Sequence, residues 1–317
     1  MQDARAGVLA MILACTIWGL SPLYYKLLAT VPPLEVLSHR TLWSAGFFMI
    51  VLLVQGRFGR LVAALSGLRA AAVLGFAALM ISTNWFLFIM SVQIGRTTEA
   101  SLGYYIFPLV AVLLGVVAFG ERLGRGQAVA VALAVIAVLV LSVGLGAAPW
   151  ISLVLAATFG LYGLIKKRLT VGPVVSVTAE VMLLSPLAAG WLVWLHFTPG
   201  GGAFGEDAVI SLLLALSGPL TAVPLILFAY ASQRVTMASI GLLQYINPTL
   251  QFVCAVMIFG EPFGLVHAIA FGLIWTALAL YSGAAWRHQS VRRRASIIAS
   301  AVGSLPTNPA IEASAKP

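Results

Sequence analysis

The sequence predicts an all-α integral membrane protein of ten transmembrane helices, arranged as two inverted five-helix repeats. Three observations carry this. Apolar runs follow one another almost end to end, Lys and Arg gather in every second loop, and one phrase is written twice at a distance of 140 residues. Charged residues make up only 9% of the chain and hydrophobic residues 61%, with a mean hydropathy of +1.05. A soluble domain carries about a quarter charged residues, so a water-soluble fold is excluded.

A helix needs about 20 predominantly apolar residues to cross the hydrocarbon. Such segments fall at 7–28, 34–54, 70–92, 98–119, 127–146, 149–165, 174–197, 208–231, 237–259 and 263–286. Turn-forming punctuation separates them: "VPPLE" at Val31–Glu35, "QGRFGR" at Gln55–Arg60 and "FTPGGGAFGED" at Phe197–Asp207. The polar, Ala/Ser-rich stretch 291–317 reads as a disordered tail.

The net charge is +9, and its distribution matters more than its sum. The N-terminus and the even-numbered loops hold Arg5, Arg57, Arg60, Arg69, Arg122, Arg125, Lys166, Lys167, Arg168 and Arg234. The tail adds Arg287, Arg292, Arg293, Arg294 and Lys316, while the other side holds only Lys26, Arg40 and Arg96. Positive loops remain in the cytoplasm. Both termini are therefore expected there, which requires an even number of spans. The expected location is the bacterial inner (plasma) membrane, crossed several times.

The repeated phrase is "YYIFPLVAVLLGVVAFGE" (Tyr104–Glu121) and "QYINPTLQFVCAVMIFGE" (Gln244–Glu261). Both contain Tyr-Ile-x-Pro, an apolar run of the same length, and Phe-Gly-Glu. A fainter match joins "WGLSPLYYK" (Trp18–Lys26) to "FGLYGLIKK" (Phe159–Lys167). The period covers five spans, an odd number, so each half enters the membrane in the opposite sense. The chain then divides into a first repeat (1–146), a second, inverted repeat (147–290) and the tail (291–317). Inverted repeats are the architecture of secondary transporters, whose halves exchange conformations around a central site.

The stretches "IWGLSPLYYKLL", "SHRTLWS", "NWFLFIMSV", "EASLGYYIFPLVAVLLGVVAFGERL" and "IGLLQYINPTLQF" resemble the EamA branch of the drug/metabolite transporter superfamily. More narrowly they resemble the RarD group, often labelled chloramphenicol-sensitive permeases. The resemblance spans residues 7–286. It implies a five-plus-five inverted repeat and permeation or efflux of small molecules across the inner membrane, without naming a substrate.

Polar residues inside a membrane are functional candidates by default. Arg40, about six residues into the second span, either clamps a substrate carboxylate or phosphate or pairs with Glu35 or Glu99. His39 precedes it, and Trp43 follows one turn later on the expected Arg40 face. Glu180 is the acidic residue well inside a span. It either carries a coupling proton or acts as a snorkelling or capping residue near Lys166, Lys167 and Arg168. Lys26 ends the first span. Asn84 and Trp85 lie deep in the third, bonding a neighbouring helix or facing a cavity.

Pro22, Pro108, Pro224 and Pro248 each remove an intrahelical hydrogen bond. Pro108 and Pro248 fall at repeat-equivalent positions and read as paired hinges. Tyr104, Tyr105, Gln244, Tyr245 and Asn247 surround them, either contacting substrate or packing helices. The fainter repeat contributes Trp18, Tyr25 and Tyr162 to the candidate cavity.

No Walker motif, HExxH or Gly-x-Ser-x-Gly occurs, and the two cysteines, Cys15 and Cys254, have no metal spacing. Neither a cofactor, nor ATP, nor nucleic acid is expected as a partner. Membrane lipid and a small-molecule substrate are, and the oligomeric state is not legible. The competing class is an intramembrane enzyme acting on a lipid-soluble substrate.

Overall fold

The computed structural model describes residues 2–120, 124–144, 146, 148–169, 171–235 and 237–283. Six helices come first: α1 (Gln2–Leu27), α2 (Pro33–Val54), α3 (Phe58–Leu65), α4 (Leu68–Gln93), α5 (Thr97–Phe119) and α6 (Arg125–Gly144). Then follow α7 (Trp150–Arg168), α8 (Pro173–His196), α9 (Ala208–Ser232), α10 (Met237–Leu243), α11 (Ile246–Val253) and α12 (Leu265–Gly283). A π-helical turn, Cys254–Ile258, continues α11. Among the described residues there is no strand, only a single bridge between Phe204 and Asp207. Arg122 and the basic tail lie outside the described residues, as does the expected disorder of 291–317.

Among the described residues nine segments are long and apolar enough to cross a membrane, where ten were expected. The sixth expected span, 149–165, coincides with a shorter apolar helix, Trp150–Lys166. Helix α3 was not expected at all. It turns Leu61 and Ala64 into a core with Leu52, Leu74, Val175 and Ala179, and leaves Phe58 and Val62 exposed. Eight residues give too few turns for such a periodicity to stand out from a loop.

The glycine of the repeated phrase has one physical cause in both copies. The glutamate can be followed in the second alone, because Glu121 lies outside the described residues. Gly120 (φ 64°) and Gly260 (φ 67°) both adopt the left-handed conformation that stops a helix and that glycine adopts without a Cβ clash. The glutamate after Gly260 then reaches across the molecule. Glu261 accepts hydrogen bonds from the Thr97 and Thr98 amides (2.6 and 2.7 Å) and from the Thr98 hydroxyl (2.7 Å), capping the N-terminus of α5.

Of the two prolines expected as paired hinges, Pro248 coincides with a helix break and Pro108 does not. The second-half segment breaks into α10 and α11 at Gln244 and Tyr245, because Pro248 has no N–H to offer the Gln244 carbonyl. The Asn247 amide bonds that carbonyl instead, at 3.1 Å, in a tighter turn. Helix α5, by contrast, runs unbroken through Pro108.

Helix α2 packs against both α8 and α9, and α8 packs against α4. Helix α1 packs against α9 and α11, and α7 against α4 and α5, while α5 also meets α11. Glycine permits the tightest crossings. A Cβ on Gly103 would lie 2.8 Å from the Ser152 carbonyl of α7, and one on Gly218 would lie 2.6 Å from the Trp43 backbone of α2.

Candidate functional site

The expected site residues separate into two groups and several outliers. The first group lies where α1, α2, α4, α5 and α7 meet. Arg40 sits seven residues into α2, about 10 Å along its axis, and is 6% exposed. Its guanidinium lies over the Trp85 ring, 4.1 Å from the centroid, and its Nη1 donates to the Tyr25 hydroxyl at 2.8 Å. Tyr25 meets Phe88 edge-on at 5.9 Å, and Phe88 meets Tyr104 at 5.8 Å. The Tyr104 hydroxyl donates to Asn84 Oδ1 at 2.8 Å. Asn84 in turn donates to the Leu155 carbonyl (2.9 Å) and to Thr158 Oγ1 (3.1 Å). A buried Asn needs partners of this kind, and here it takes them from a neighbouring helix and from Tyr104 together.

The ring column continues. Tyr104 packs on Phe159, and Phe159 stacks on Tyr162 with an interplanar angle of 24°. The Tyr162 hydroxyl donates to Glu180 Oε2 at 3.0 Å. Glu180 is 1% exposed; its Oε1 accepts from Lys166 Nζ at 2.5 Å and from Ser176 at 2.8 Å. Aromatic contacts thus join Arg40 to Glu180, which stand at equivalent positions of the 140-residue period. The two charges do not touch.

Neither expected partner pairs with Arg40. Glu35 Oε1 accepts the Ala203 amide at 2.7 Å, and Glu99 pairs with Arg96. Among the described residues the ion pairs are Arg96–Glu99 and Lys166–Glu180. Arg40 Nε is buried without a hydrogen-bond partner.

The second group surrounds a cavity of about 330 Å³ between α5, α10–α11 and α12. Tyr105 and Tyr245, partners under the repeat, both line it with Thr249 and Trp275. The Tyr105 hydroxyl lies 2.8 Å from Thr249 Oγ1, and Ser282 lines the cavity beside Tyr245. The repeat therefore brings the two tyrosines together. They meet on a different face of α5 from Tyr104, apart from the Arg40 group.

The remaining candidates are scattered. His39 stacks on Phe204 at 4.8 Å, and Trp43, 43% exposed, packs on the same ring at 6.3 Å. Trp43 thus shares the side of His39 and not that of Arg40, contrary to expectation. Lys26 is exposed and lies over Phe259. Trp18 packs on Phe228, and Pro22 is buried within α1. Asn247 Oδ1 accepts from Gln251 at 2.9 Å, Pro248 is buried, and Gln244 is half-buried at the helix break. Sequence reasoning missed Phe88, Phe159 and Thr158. Phe88 lies one turn after Asn84, the spacing that would have placed it on the same face.

The EamA-like transporter family model matches residues 5–143. Over 312 residues, 98% of each chain, this sequence is 41% identical to Protein RarD of Streptomyces exfoliatus. The chain belongs to the EamA-like transporter family. Its relatives of 33–41% identity include several RarD proteins. An "Uncharacterized transporter" of Vibrio cholerae is 38% identical over 281 residues, covering 89% of this chain and 93% of that one. A crystal structure at 19% identity superposes with a TM-score of 0.57 over 89% of this chain and 98% of the other, so the EamA-like chain shares its fold. This family member is a multi-pass membrane protein, all-helical in its described residues.

Proposed function

We propose that this protein is an inner-membrane secondary transporter. It moves small organic metabolites or drugs by alternating access between two inverted five-helix halves, residues 1–146 and 147–290, with both termini cytoplasmic. One observation carries the reading: the helix contacts exchange in pairs under the 140-residue shift. Contacts of α1 with α9 and α11 correspond to those of α7 with α4 and α5. Contacts of α2 with α9 correspond to those of α8 with α4, while the α2–α8 and α5–α11 contacts map onto themselves. Halves that meet through equivalent surfaces have two arrangements of the same kind, open to opposite sides.

The permeation site in this reading is the aromatic column from Trp85 and Tyr25 through Tyr104 to Tyr162. Amphipathic rings hold an apolar body while their polar tips orient it. Coupling to protons belongs to Glu180, an enclosed carboxylate whose partners, Lys166, Tyr162 and Ser176, can exchange hydrogen bonds as it loses or gains charge. The test is flux into proteoliposomes of amino acids, monocarboxylates and chloramphenicol. Alternating access predicts saturable uptake of at least one compound, accelerated when the same compound is loaded on the opposite side. Uptake that rises linearly and ignores the opposite side would contradict it.

A further inference from the structure

We infer that Arg40 is an anion-recognition residue and that the transported substrate class is small monocarboxylates with a planar apolar body. The inference rests on the transport reading and adds the chemistry of its site. A cation enclosed by helices is costly unless a counter-charge or a hydrogen-bond shell compensates it. Arg40 is nine-tenths buried and has no carboxylate within ion-pair distance among the described residues. The Trp85 face and the Tyr25 oxygen compensate part of its charge. What remains is directional. The Nε–H has no acceptor, and the Tyr25 hydroxyl, already accepting from Nη1, keeps its own proton for a further acceptor.

Nε and Nη2 form one edge of the guanidinium, turned away from the Nη1 that holds Tyr25. The two donors of that edge, with one uncompensated positive charge, match the two oxygens and single charge of a carboxylate. A phosphate dianion would leave a net negative charge among Phe88, Tyr104 and Trp85. The same rings supply the wall for a flat apolar substituent.

The test uses the purified full-length protein with benzoate, benzamide and inorganic phosphate as probes, read by thermal stabilisation and by tryptophan fluorescence. Benzoate should stabilise the protein and perturb its fluorescence; benzamide, of the same shape without the charge, and phosphate should not. Arg40→Gln should weaken benzoate binding by about tenfold or more, as expected for loss of a charge-assisted contact. Arg40→Lys keeps the charge but loses the fork, so it should fold and bind benzoate with intermediate affinity. Equal stabilisation by benzoate and benzamide, a response to phosphate alone, no response to benzoate, or unchanged binding in a folded Arg40 variant would each overturn the assignment. Flux separates the two claims. Binding that depends on Arg40 without any flux would contradict transport alone, and trans-stimulated flux of benzamide equal to that of benzoate would contradict the carboxylate site alone.

Discussion

Single side chains do different work at the repeat-equivalent positions, and the difference is electrostatic. Glu180 stands where the first half has Arg40, and it has a cation beside it, while among the described residues no carboxylate pairs with Arg40. Removing one partner of an enclosed ion pair strands the other charge, whereas removing both avoids that. Glu180→Gln should therefore lower unfolding stability by about 3 kcal/mol, and Lys166→Met/Glu180→Gln should recover much of the loss; denaturation of both variants in the same detergent decides this. If Glu180 couples protons, the double variant should retain substrate exchange but lose accumulation driven by a pH gradient. Glu261 offers a second test at this scale. Its carboxylate receives three hydrogen bonds at the start of α5, where the helix dipole favours negative charge. Glu261→Ala should cost about 2 kcal/mol, and Thr98→Val, which removes one of the three bonds, about 1 kcal/mol. Equal losses in the two variants would mean that the hydroxyl bond dominates. The repeated Phe-Gly-Glu was legible from the letters, but the target of the glutamate was not, because it lies more than 160 residues away in the chain.

Helices were legible wherever an apolar run reached bilayer length, since composition alone then decides the element. Short pieces were not. Helix α3 is two turns long, and the α10–α11 break depends on whether packing re-satisfies a carbonyl freed by proline. The same residue type gives a break at Pro248 and none at Pro108. If the break is a working hinge, Pro248→Ala should leave ligand affinity within about twofold but slow flux several-fold, by restoring an intrahelical bond to Gln244. Pro108→Ala should change flux less. Helix crossings give a cleaner contrast. Gly103→Ala and Gly218→Ala push a methyl into a facing backbone and should each cost about 1–3 kcal/mol. Gly46→Ala and Gly75→Ala meet nothing within 4 Å and should be neutral or stabilising. A thermal series in which all four behave alike would refute the close-crossing assignment.

At the scale of the molecule, charge asymmetry and the repeated phrase predict how the chain is organised, and family membership shows a multi-pass membrane protein of the EamA-like transporter family. The site was only partly legible. Sequence spacing gathered Asn84 and Trp85 with Arg40 as candidates, but it could not tell the Tyr104 face of α5 from the Tyr105 face, which serve separate clusters. Adjacent helical residues diverge by about 100°, and only the neighbouring helices decide which side each one meets. The claim on which the whole account stands is that the two halves enter the membrane in opposite senses. Arg60 and Gly200 stand at equivalent positions of the 140-residue period, so they test it as a pair. A topology reporter fused after Arg60 should read cytoplasm, and the same reporter fused after Gly200 should read periplasm. Both fusions reporting the same side would contradict the inverted repeat and, with it, the exchange of halves proposed to carry substrate across.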